Sequence, residues 1–65
     1  MNYFAIIIDA QGRPTLHGPY KDAQTAGDEE ELSSMQLEHA LKGWVEKKYP
    51  DSGVVVTIAI RTPQV

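Results

Sequence analysis

The chain has 65 residues, nine acidic and six basic side chains, a net charge of -3 and no cysteine. Disulfide staples and thiolate metal centres are excluded. The basic stripe of a nucleic-acid binder is also missing, because Arg13, Lys21, Lys42, Lys47, Lys48 and Arg61 are scattered along the chain.

A chain this short reads as one small α+β domain, residues 1–65. It buries only about 60% of its unfolded surface, so self-association is an expected route to extra stability. No stretch is apolar over a membrane-spanning length and no cleavable leader is recognisable, which makes cytoplasmic residence the default expectation.

Residues 3–8 are continuously apolar and end at Asp9. Such a run suits a central strand with both faces covered. By alternation, Phe4, Ile6 and Ile8 are expected on one face and Tyr3, Ala5 and Ile7 on the other. Asp9-Ala10-Gln11-Gly12-Arg13 carries a turn signal. Residues 14–17 then read as a short second strand, confined to an edge by Pro14 and closed by Gly18-Pro19.

Asp22 can cap a short helix starting at Ala23 that Gly27 weakens or ends. The acidic residues 28–31 suit a helix N-terminus, where the dipole favours anions. Ser33 with Gln36 forms a capping-box pattern that starts the main helix. Leu37, Ala40, Leu41, Trp44 and Val45 fall on one stripe of it, and Pro50 stops it at Tyr49. Residues 54–60 make the closing strand, with Val54, Val56, Ile58 and Ile60 on one face and Val55, Thr57 and Ala59 on the other.

This order predicts a β-β-α-β domain, a three-stranded antiparallel sheet of order 2-1-3 with one main helix on one face and a short helical turn before it. Phe4, Ile6, Ile8, Leu16, Val54, Val56, Ile58 and Ile60 are expected under the helix. Tyr3, Ile7, Val55 and Thr57 are expected on the other face, flanked by His17. An apolar patch there marks a contact surface, and the closing strand offers an unprotected edge.

Gly18-Pro19-Tyr20, followed by Asp22-Ala23 and Ala26, resembles the strand–Gly-Pro-aromatic–helix element of many small uncharacterised bacterial and phage proteins. That likeness implies a structural signature with no attached activity. Leu41…Tyr49-Pro50-Asp51…Val54-Val55-Val56 is similar to the helix-to-strand passage of the DinI family, which modulates the recombinase filament in the bacterial damage response. That family has a further C-terminal helix with acidic residues, which these 65 residues do not contain, so its function is not carried over.

Chemistry-bearing patterns are sparse. His17 and His39 are the only histidines, and a metal site needs more converging ligands. No nucleophile elbow or phosphate loop is present. The chain is therefore expected to be a non-enzymatic protein–protein interaction module of bacterial or phage type, homodimeric or bound to another protein, without a cofactor. Its contact residues are expected to be Tyr3, Ile7, Val55 and Thr57, with Glu29, Glu30 and Glu31 orienting the approach. The alternative is an accessory regulator or inhibitor of nucleic-acid machinery, with the acidic cluster as a DNA mimic. Direct nucleic-acid binding and membrane association are not expected.

Overall fold

The computed structural model describes residues 2–63. Its elements are β1 (Tyr3–Ile8), β2 (Pro14–Tyr20), α1 (Ala23–Glu29), α2 (Ser34–Lys42), β3 (Val45–Lys48) and β4 (Val55–Arg61). They form a four-stranded antiparallel sheet of order β2-β1-β4-β3, covered on one face by the two helices. The expected α+β class and antiparallel sheet are present, and β1 lies between β2 and the closing strand. The expected count of three strands is corrected to four.

The additional strand comes from the segment read as the end of the main helix. That helix stops at Lys42, with Gly43 as its C-cap. Val45 and Lys47 then point inward while Glu46 and Lys48 point out. A lysine at an inward position hides this two-residue alternation from any hydrophobicity pattern. Tyr49 donates its N–H to the Val54 carbonyl (2.8 Å) and Gly53 donates to the Tyr49 carbonyl (2.8 Å), with Gly53 at φ 73. Residues 49–54 are therefore a hairpin turn and not a helix-to-strand passage. β4 is consequently an interior strand, and β2 and β3 are the edges.

The opening hairpin is tied at its turn. The Asp9 carboxylate accepts the Gln11 and Arg13 N–H groups, each at 2.9 Å. These bonds, led by the one from Arg13, hold its carboxyl below the usual carboxylate range.

Both expected helix starts are present. Asp22 accepts from the Thr25 N–H at 2.7 Å, and Ser33 and Gln36 form the reciprocal capping box. α1 ends in a Schellman arrangement, in which Leu32 N–H donates to the Gly27 carbonyl at 2.8 Å and Glu31 N–H to the Asp28 carbonyl at 3.1 Å. Leu32 packs onto the core. Gly27 is buried against α2, where an added Cβ would lie 2.9 Å from a Leu37 methyl.

The core comprises Ala5, Ile7, Val56, Ile58 and Ile60 from the sheet with Ala26, Leu37 and Ala40 from the helices. Cross-strand pairing aligns Ala5 with Ile60 and Ile7 with Ile58. The expected face of β4 is therefore correct for Val56, Ile58 and Ile60, whereas Val54 lies before the strand and is exposed, and the expected face of β1 is reversed. Tyr3, Ala5 and Ile7 lie under the helices, and Phe4, Ile6 and Ile8 face away.

Candidate interaction surface

The face opposite the helices carries Phe4, Ile6 and Ile8 from β1, Leu16 from β2, and Val55, Thr57 and Ala59 from β4. Leu16 is 63% exposed and Val55 40% exposed, while Phe4, Ile6 and Ile8 are half-buried. Ala59 is fully buried. An open groove of about 380 Å³ runs over this face, lined by Phe4, Ile6, Leu16, Arg61, Thr62 and Pro63.

The backbone beside Phe4, one of the groove's residues, is irregular. The β1–β2 register shifts between Tyr3 and Ala5, where Gly18 at φ +133 presses against β1. A Cβ at Gly18 would sit 3.0 Å from the Tyr3 carbonyl oxygen and 3.1 Å from Phe4 Cδ2. Only glycine combines that φ with such an approach. The peptide bond from Gly18 to Pro19 is cis.

At the other wall, the Arg61 guanidinium is already engaged. Nη1 donates to the Ala40 carbonyl (2.7 Å) and Nη2 to the Gly43 carbonyl (3.0 Å), capping the C-terminus of α2. It also lies 5.9 Å from the Trp44 ring centre. Trp44, expected in the core, is 48% exposed beside it, because the chain has left the helix before reaching it.

Of the expected contact residues, Val55 and Thr57 lie on the bare face, where they were anticipated. Tyr3 and Ile7 do not. Ile7 is 8% exposed in the core and Tyr3 packs against that core. His17, expected on the bare face, pairs with Ala5 and so lies on the helix side.

The acidic run is divided. Asp28, Glu29 and Glu31 are exposed, whereas Glu30 is buried. The run also stands at the C-terminus of α1 and not at a helix start. Carboxylates are unfavourable there, since the dipole's negative end is close. A buried cation offsets this. Lys47 reaches from β3 and donates to the Glu30 carbonyl (2.6 Å) and the Glu31 carbonyl (2.9 Å), with its ammonium 5.1 Å from the Tyr49 ring centre.

Glu30 itself anchors α1 to β2. Its Oε2 accepts from the Tyr20 hydroxyl at 2.6 Å and lies 3.0 Å from His17 Nδ1. The ionised carboxylate can only accept, so Nδ1 carries the proton in this bond. The bond to Glu30, with some burial, pushes the Tyr20 phenol up to about 12. Tyr20 therefore acts as a donor that fixes a carboxylate, a structural role. Among the described residues no group of three or more histidine, cysteine or carboxylate side chains is placed to hold a metal ion. Among the described residues no helix is long and apolar enough to cross a membrane.

The sequence reasoning missed Phe4, Ile6 and Leu16 as apolar residues that face away from the helices. Leu16 alone carried a usable signal, as a single apolar residue between Thr15 and His17 on a proline-marked edge strand. No protein-family model matches the chain, and neither a curated protein nor a solved structure matches it. β2 runs through Gly18-Pro19 to Tyr20, past the end at His17 expected from the sequence, and the Asp22 cap follows it. The DinI-like passage is a strand–turn–strand in the structure and that resemblance is not retained.

Proposed function

We propose that this chain is a non-enzymatic protein-interaction module whose contact surface is the bare sheet face. The observation that carries this reading is the sheet face turned away from the helices, where half-buried Phe4 and Ile6 with Leu16, 63% exposed, line a groove. A contiguous apolar patch on a small protein usually marks a site of contact. Exposed leucine and valine side chains gain about 25 cal/mol for each Å² a partner removes from water. The groove's lining offers shape and apolar area, and its single hydroxyl, on Thr62, has no histidine or carboxylate among the lining residues to activate it, which favours binding over catalysis.

The acidic reading is the weaker one. Asp28, Glu29 and Glu31 remain exposed, but Glu30 is held internally by Tyr20 and His17, so the cluster lacks one of its four charges at the surface.

The test is a photo-crosslinking amino acid placed at Leu16, with the same group at exposed Gln24 on α1 as control, in cells making the protein. Protein adducts from position 16, absent from position 24 and abolished by Ile6→Asp, are expected. No adduct from position 16, or equal adducts from both, would overturn the reading.

A further inference from the structure

We draw no further inference here: the strongest candidate, the groove on the sheet face turned away from the helices, lined by Phe4, Ile6, Leu16, Arg61, Thr62 and Pro63, belongs to the contact surface already described, and nothing in the structure shows what covers it.

Discussion

Glu30 and Lys47 show how single residues reverse a pattern-based expectation. Both are charged, both are buried, and both are there because each has partners. Glu30 receives the Tyr20 hydroxyl and His17, and Lys47 satisfies two carbonyls that the end of α1 leaves open. Breaking either set would strand buried polar groups, at about 1–3 kcal/mol for each. The Tyr20 bond makes a specific pH prediction. Because its phenol is raised to about 12 from the ordinary 10, the folded state holds the proton more tightly than the unfolded state. The bond's contribution is then complete below pH 10 and is lost as pH rises towards 12. Urea denaturation of wild type and Tyr20→Phe should show a stability gap that is constant from neutral pH to about 10 and shrinks beyond it. A gap unchanged at the upper end would contradict the assigned bond.

Between residue and fold, the elements show where local signals suffice. The caps at Asp22 and Ser33 were readable because capping is chemistry within four residues. The C-terminus of α1 was not, since the terminating residue is Glu31 and not glycine. Glu31 stands at φ 59, a left-handed conformation that costs a residue bearing a Cβ about 1–2 kcal/mol. The Schellman bonds and the Lys47 contact to its carbonyl hold it there. Replacing Glu31 by glycine removes the Cβ while keeping every backbone bond at this terminus. Glu31→Gly should therefore stabilise the protein by up to about 1 kcal/mol, net of glycine's larger unfolded-state entropy. A raised urea midpoint would agree, and a loss of more than that amount would show that the glutamate side chain holds the turn.

At the scale of the whole molecule, the central question is which side of β1 faces the helices. Ile7→Ala should cost about 2–5 kcal/mol, as for a core truncation, a large part of the stability a domain this small has. Ile6→Ala, on the bare face, should cost less than about half of that in the monomer. Thermal or urea midpoints of the pair check the assignment directly. The reverse order would restore the alternation expected from the sequence and would take Tyr3 and Ile7 back to the surface.

What the sequence determined by itself is the set of features with a short range. These are the α+β class, the two end strands, the turn at Gly12, both helix caps and the position of the opening hairpin. Each depends on residues that are neighbours in the chain. The face of β4 was also legible, because Arg61 and Thr57 interrupt one side of its alternation. What only the tertiary structure decided is the face of β1, the existence of β3 and hence the contact surface. Residues 3–8 are apolar at every position, so a two-residue period contains no information there, and the choice falls to cross-strand register with Ile58 and Ile60. β3 exists because an inward lysine finds carbonyl partners across the molecule at Glu30 and Glu31. No local pattern encodes partners that distant.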